Sequence, residues 1–223
     1  LISTGNDIIA LDLINKQRTN QARFYSQILS AAELSLYNPN QFLGLCFEHY
    51  IWLAWSVKES VYKYSKRLMP ELIFSPTKIV VQNLEPPRKN ESCPNLMHWE
   101  STDGYDEFYT GTINYQSSQL YFRSKISPDW IATVVSEDEN FENVHWGVRS
   151  IGKNTAGHQS AGARLLLADK LNPYFIDIQT EKSPIGYPII FDQGKELKIP
   201  ASLAHHGHYV SYSCVADLVE LFV

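Results

Sequence analysis

The chain has 223 residues, 44% of them hydrophobic, and a formal charge of −5. Such a composition closes a sizeable core and excludes wholesale disorder. The negative balance argues against general nucleic-acid binding, and the apolar runs stay far below the roughly 20 residues that span a bilayer, so neither nucleic acid nor membrane is expected as a partner.

The opening residues lack a charged-then-apolar leader pattern. Residues 6–13 read as a short apolar strand with Asp7 at its entry. Residues 16–37 read as amphipathic helix, with Phe24, Ile28 and Leu29 at helical spacing. Ser30 and Glu33 form a capping box that starts a fresh helix, and Asn38-Pro39 breaks the pattern. The longest predicted helix covers 41–68, with Phe47, Ile51, Ala54, Trp55 and Val61 near one face and Pro70 bounding its end. The period then changes. Residues 78–82, 107–115, 119–126 and 130–136 are β-rich and alternate by twos. The polar stretch 114–120 reads as a hairpin turn, and the proline-rich 84–95 as a surface loop. Residues 137–160, rich in Glu, Asn, Gly and Ser, read as a boundary. Beyond it, 161–171 is helical by propensity, and 175–178, 187–191, the neighbourhood of Leu203 and 209–215 read as strands. Both segments run helix then strands, so an α+β protein of two related halves is expected.

Trp55, Glu59 and Lys63 are four residues apart and share one helix face, with Tyr62, Lys66 and Arg67 close by. Two readings fit that spacing. One is a solvated ion-pair surface, which is worth little. The other is a metal-ligating carboxylate beside lysines that hold phosphates, which needs a second hard oxygen ligand from elsewhere. Asp7 is the candidate for that ligand, although an Asp entering a strand also serves as an ordinary turn residue. Asp12 ranks below it on strand parity. His205, His206 and His208 crowd together, but no Cys or carboxylate stands at a usual zinc spacing, and neighbouring His in a strand point to opposite faces. A His donating a hydrogen bond to an anion, with Gly207 allowing close backbone approach, is the better reading. Cys46, Cys93 and Cys214 are too scattered for a disulfide framework and read as free thiols of a reducing cytoplasm.

Together these pieces resemble the 4′-phosphopantetheinyl transferase (holo-acyl-carrier-protein synthase) superfamily. Its Gly-x-Asp strand motif is matched by Gly5-Asn6-Asp7. Its helix motif, Trp-x-x-Lys-Glu-Ser followed by Lys, is matched by Trp55, Lys58, Glu59, Ser60 and Lys63. Phe24-Tyr25 and Glu33 resemble the aromatic pair and Glu found between the two. Gly186-Tyr187-Pro188 and Ala204-His205-His206-Gly207 resemble the Gly-Lys-Pro and Ser-His-Ser-Gly elements of two-domain members, and 158–171 resembles the helix upstream of them. Those elements normally precede Gly-x-Asp. Here they follow it, as a permuted order of the halves would give. The single-domain members, whose His-containing strand follows the Lys-Glu motif, offer a second comparison, with 1–136 as one copy and 150–223 as a degenerate second.

The resemblance implies a 4′-phosphopantetheinyl transferase fold of two pseudo-symmetric α+β halves, 1–145 and 146–223, with the active site between them in a monomer. It implies Mg²⁺-dependent transfer of 4′-phosphopantetheine from coenzyme A to a serine of an apo acyl or peptidyl carrier protein. Asp7 and Glu59 are then the metal ligands, with Ile9 where two-domain members carry a further Glu. Asp7, Glu59 and Lys63 are the implied catalytic set, Glu59 taking the serine proton. Lys58, Lys63, His205, Arg164 and Tyr187 are the implied coenzyme A contacts, His205 on the 3′-phosphate. Tyr187 replaces the expected Lys, and the expected helix Arg is Gln159 or Arg164, so Lys153 or Arg164 is left to grip that phosphate. The acidic carrier is expected to dock on Lys58, Lys63, Lys66, Arg67 and the Phe24-Tyr25 segment. The competing expectation is a degenerate module that binds coenzyme A or a carrier without transfer. A zinc hydrolase built on residues 205–208 is a distant third.

Overall fold

The computed structural model describes residues 3–42, 44–88, 98–100 and 108–218, with the backbone alone at 98–100. Cys93 and the end of the predicted 84–95 loop lie outside the described residues. In chain order, strand β1 (Gly5–Ala10) leads to three short helices, α1 (Lys16–Thr19), α2 (Ala22–Tyr25) and α3 (Ala31–Leu36), then to the long α4 (Phe47–Leu68). Strands β2 (Val80–Val81), β3 (His98–Glu100), β4 (Tyr109–Tyr115), β5 (Ser118–Ile126), β6 (Trp130–Ser136) and β7 (Val144–Ser150) follow. Helix α5 (Ala156–Leu171) precedes β8 (Ile178–Lys182), β9 (Pro188–Asp192), β10 (Lys195–Leu197), β11 (Ala201–His206) and β12 (Tyr209–Val215). The α+β class expected from the sequence is what the chain adopts. Among the described residues no helix is long and apolar enough to cross a membrane.

Three antiparallel sheets form, with strand orders β1-β6-β5-β4-β2, β11-β12-β7-β3 and β10-β9-β8. The first two stack as the middle layers of a four-layer arrangement. Helix α4 covers one face of the five-stranded sheet, where Ile51, Val57 and Val61 meet Ile9, Ile113, Phe122 and Ile131. The opposite face of that sheet presents Ile8, Trp130, Ala132 and Val134 to Trp146, Val148 and Ala204 of the four-stranded sheet. Helix α5 closes the stack, with Leu166, Leu167 and Leu171 against Val210, Tyr212 and Cys214. Strands β1 and β6 lie between helix and second sheet, so both are buried along their whole length. That is why β6 reads as a nearly continuous apolar run rather than clean alternation.

The outer edge of β1 faces the edge strand β11 and is covered by side chains. Asn6 N–H donates to Ser202 Oγ at 3.3 Å, and Ala10 N–H donates to His206 Nδ1 at 3.0 Å. Asn6 Nδ2 and Thr4 Oγ1 reach Ser211 and Ser213 of β12 at 2.5 and 3.0 Å. Exposed strand edges invite unwanted pairing, and this seam removes one.

Several expectations need correction. The predicted helix 16–37 is three short helices, because Asn15 caps α1 and the chain turns at Asn20 and again after Tyr25. The capping box is present: Glu33 N–H donates to Ser30 Oγ, and Ser30 N–H donates back to Glu33 Oε2. Helix α4 begins at Phe47 rather than 41, since turns bonded to Asn38 O occupy the intervening residues. Strand β7 runs through the predicted boundary 137–160 and across the 145/146 division. Its alternation was visible as Val144, Trp146 and Val148, the residues that enter the inter-sheet core. Helix α5 starts five residues before the predicted 161, and the predicted strand at 175–178 lies at Ile178–Lys182.

Candidate active site

Strand β1 reaches α4 through Gly5. A Cβ there would stand 1.9 Å from Ser60 O and 2.7 Å from Tyr64 N, so only glycine allows this crossing. Two residues on, Asp7 points to the same side and meets the helix. Lys63 Nζ donates to Asp7 Oδ1 at 3.2 Å and to Asn6 O at 2.9 Å. Asp7 is 8% exposed, and its Oδ2 is buried without a close hydrogen-bond partner, like the nearby Ser56 hydroxyl. Burial pushes the Asp7 carboxyl up, and Lys63, the Ile8 N–H and the nearby Ser56 hydroxyl oppose the shift. Burial also raises Glu59, the Asp7 charge adds to it, and Lys63 again pulls the other way. Two carboxylates therefore repel each other across one lysine. An unpartnered carboxylate oxygen beside a second carboxylate fits a hard divalent cation. Among the described residues no group of three or more His, Cys, Asp and Glu gathers as a metal cluster, so such a cation would draw its remaining ligands from water or substrate.

Lys63 also lines a cavity of about 300 Å³ between α4, α5 and strands β8, β9 and β11. His205, Arg164, Tyr187 and Arg67 share that lining. His205 is held below its ordinary value, first by partial burial, then by Lys63 and His206. It is therefore neutral at neutral pH. Arg164 projects from α5 and is exposed. Tyr187 is presented by a turn in which Ser183 Oγ accepts from the N–H groups of Gly186 and Tyr187, both at 3.1 Å. Gly186 has φ +103°, a conformation that side chains other than glycine's resist. Arg67 lies over the Tyr187 ring, 4.2 Å from its centroid, and its Nη2 donates to Ala201 O at 2.5 Å.

The structure thus brings Lys63, His205, Arg164 and Tyr187 onto one cavity, with Asp7 and Glu59 beside Lys63. It does not bring Lys58 there. Lys58 Nζ donates to Ile28 O at 2.6 Å, Glu33 Oε2 at 2.8 Å and Pro76 O at 3.0 Å, and the residue is fully buried. One residue is about 100° of helix, so the neighbour of Glu59 faces elsewhere. The expected phosphate contact by Lys58 is withdrawn. The expected docking run disperses for the same reason. Lys58 is internal, Lys66 folds back onto the carbonyls of Pro70 and Leu72, and Arg67 enters the cavity. Phe24 packs on Trp52 with ring centroids 5.9 Å apart, and Tyr25 on Phe47 at 5.3 Å.

The three late histidines separate. His206 accepts from Ala10, His208 meets Ile151 O at 3.1 Å, and His205 alone faces the cavity. Gln159 donates to Gly207 O at 2.9 Å and is engaged. Asp12 lies in a 3₁₀ turn after β1, away from Asp7. Arg67, like Lys66 and Lys182, is a cavity residue that motif reasoning did not assign there. Its signal was its spacing, one helical turn beyond Lys63 on the same face.

No curated protein and no solved structure matches the chain. Residues 3–113 match the profile of the 4′-phosphopantetheinyl transferase superfamily. That span carries β1 with Asp7 and α4 with Glu59 and Lys63, the elements that Gly5 lets cross. On this match the chain belongs to the 4′-phosphopantetheinyl transferase superfamily.

Proposed function

We propose that the protein transfers 4′-phosphopantetheine from coenzyme A to a serine of an apo acyl or peptidyl carrier protein, with Mg²⁺. The observation that carries this is the Asp7–Lys63 contact beside Glu59, opening on a cavity with cationic and histidine lining. Asp7 and Glu59 would hold the metal, which when bound offsets charge on the pyrophosphate.

Lys63 holds the phosphates of the donor and keeps the two carboxylates in register. Glu59 accepts the serine proton as the serine oxygen attacks phosphorus. The P–O bond to the nucleotide breaks, and adenosine 3′,5′-bisphosphate leaves. His205, neutral before the ligand arrives, donates an N–H to the adenylate phosphate.

The chain reads as two related halves joined at residues 137–143, in permuted order relative to the two-domain members. Supporting this, β1 pairs with β6 and β7 pairs with β12, so each segment's opening strand lies antiparallel to its closing strand. A long helix packs on each such pair. The cavity lies between α4 of the first half and α5, β11 and residues 180–188 of the second, and two halves in one chain favour a monomer.

The test is incubation of the protein with Mg²⁺, coenzyme A and a panel of apo acyl and peptidyl carrier proteins, read by intact mass. Gain of the phosphopantetheine mass on a carrier serine is the expected result. No gain on any carrier would sink the proposal.

A further inference from the structure

Arg67 is half-buried, and among the described residues it contacts no carboxylate. Its two contacts are the Tyr187 ring and the Ala201 carbonyl, and partial burial lowers its pKa. A guanidinium carries five N–H donors in a rigid fork, and one donation to a carbonyl leaves most of them for a ligand. The ring beneath it fixes the plane of the fork without consuming a donor. Arg164 enters the same cavity from α5, also without a carboxylate partner among the described residues. The cavity therefore holds two arginines on opposite helices, with no acidic side chain paired to either. Arg164 is exposed and solvated, while the half-buried Arg67 keeps N–H donors that an anion entering the cavity can take.

The order of groups along α4 says which anion. Glu59, Lys63 and Arg67 follow at single turns on one face, each about 6 Å further along the axis. Glu59 and Lys63 stand beside Asp7, where the proposed function seats the pyrophosphate. Arg67 lies a turn beyond, with its guanidinium on Ala201 at the start of β11 and on the Tyr187 ring before β9.

We infer that Arg67 recognises the 3′-phosphomonoester of coenzyme A, and that Tyr187 is its positioning residue, holding the guanidinium by its ring face. This inference rests on the proposed function for the identity of the ligand. It also accounts for a tyrosine between Gly186 and Pro188: the cation sits on the helix across the cavity, and the residue at 187 supplies its platform.

The test compares coenzyme A with 3′-dephospho-coenzyme A in steady-state transfer. Arg67→Gln is expected to raise KM for coenzyme A roughly tenfold or more, as loss of a charge-assisted contact does, with a smaller change in kcat. KM for the dephospho substrate should rise far less, so the preference between the two collapses. Arg67→Lys should restore part of it. Tyr187→Phe should keep the preference, and Tyr187→Leu should weaken it. Equal effects of Arg67→Gln on both substrates would overturn the inference.

A binding arm separates this from failure of the functional reading. By calorimetry the wild type should bind adenosine 3′,5′-bisphosphate more tightly than adenosine 5′-monophosphate, and Arg67→Gln should erase the difference. If no carrier is modified but this pattern holds, the transfer reading fails and the subsite stands. If the wild type does not distinguish the two nucleotides, the subsite falls whatever the transfer assay shows.

Discussion

The Lys58 ammonium lies 2.8 Å from Glu33 Oε2, and neither side chain reaches water. Glu33 is a hub: Oε2 also accepts from Ser30 N–H and Oγ, and Oε1 accepts from Val81 N–H at 3.0 Å. With Ile28 O and Pro76 O on the lysine, one buried pair ties α4 to α3, to β2 and to the turns before them. Removing one partner of such a pair leaves an uncompensated buried charge, which costs about 3–5 kcal/mol. Lys58→Met is therefore expected to lower the unfolding free energy by that order, and Lys58→Met with Glu33→Leu to recover part of the loss. Urea unfolding of the three proteins checks both expectations. A Lys58→Met protein of wild-type stability would show that the pair is dispensable.

Asp7 and Glu59 repel each other in the absence of a cation. Mg²⁺ alone, without coenzyme A, is expected to raise the melting temperature of the wild type, since a ligand that binds only the folded state stabilises it by mass action. Asp7→Asn and Glu59→Gln should each abolish that shift. Glu59→Gln should also lower kcat by about 10²–10⁴ if it removes the base. Differential scanning fluorimetry with and without Mg²⁺, beside the transfer assay, reads both effects. Transfer that survives in Glu59→Gln would assign the proton to another group.

Gly5→Ala should be disproportionately harmful for a one-carbon change. The added Cβ would meet backbone atoms of Ser60 and Tyr64, which cannot rotate away. Overpacking of this kind costs about 1–3 kcal/mol or more. It should also pull Asp7 from Lys63, so transfer at a temperature where the variant is fully folded should fall as well. Full activity in the folded variant would mean that the β1–α4 crossing does not set the site.

His205 predicts a pH dependence of opposite sign in the free and bound protein. Its folded value is depressed below 6.5 by partial burial, Lys63 and His206. Between the folded value and 6.5 the unfolded chain binds more protons, so the free protein loses stability as pH falls through 6.5. A phosphate beside the ring reverses the preference. Binding of adenosine 3′,5′-bisphosphate should take up protons and tighten as pH falls from 8 toward 6. His205→Asn should flatten that slope. Calorimetry in buffers of different ionisation enthalpy measures the proton uptake directly.

Local signals read well wherever a few neighbouring residues decide the outcome. Ser30 and Glu33 made their capping box as the spacing requires. Helix α4 follows its apolar periodicity, and the hairpin between β4 and β5 turns at Gln116 and Ser117, both at positive φ. The misses came where polarity misled. The Glu, Asn, Gly and Ser of 137–160 made 144–150 read as boundary, yet alternate residues of β7 bury against the other sheet.

For the site, the sequence alone determined which groups are present and their spacing: Asp7 two residues after a glycine, Glu59 and Lys63 one helical turn apart, and a histidine beside Gly207. It could not say where each points. Lys58 and Arg67 are both cations on α4, and one holds the core together while the other lines the cavity. Tertiary structure made that choice, because a helix face acquires its meaning from what packs against it. Glu33 and the Pro76 turn meet the Lys58 side, while Tyr187 and Ala201, more than a hundred residues away in the chain, meet the Arg67 side.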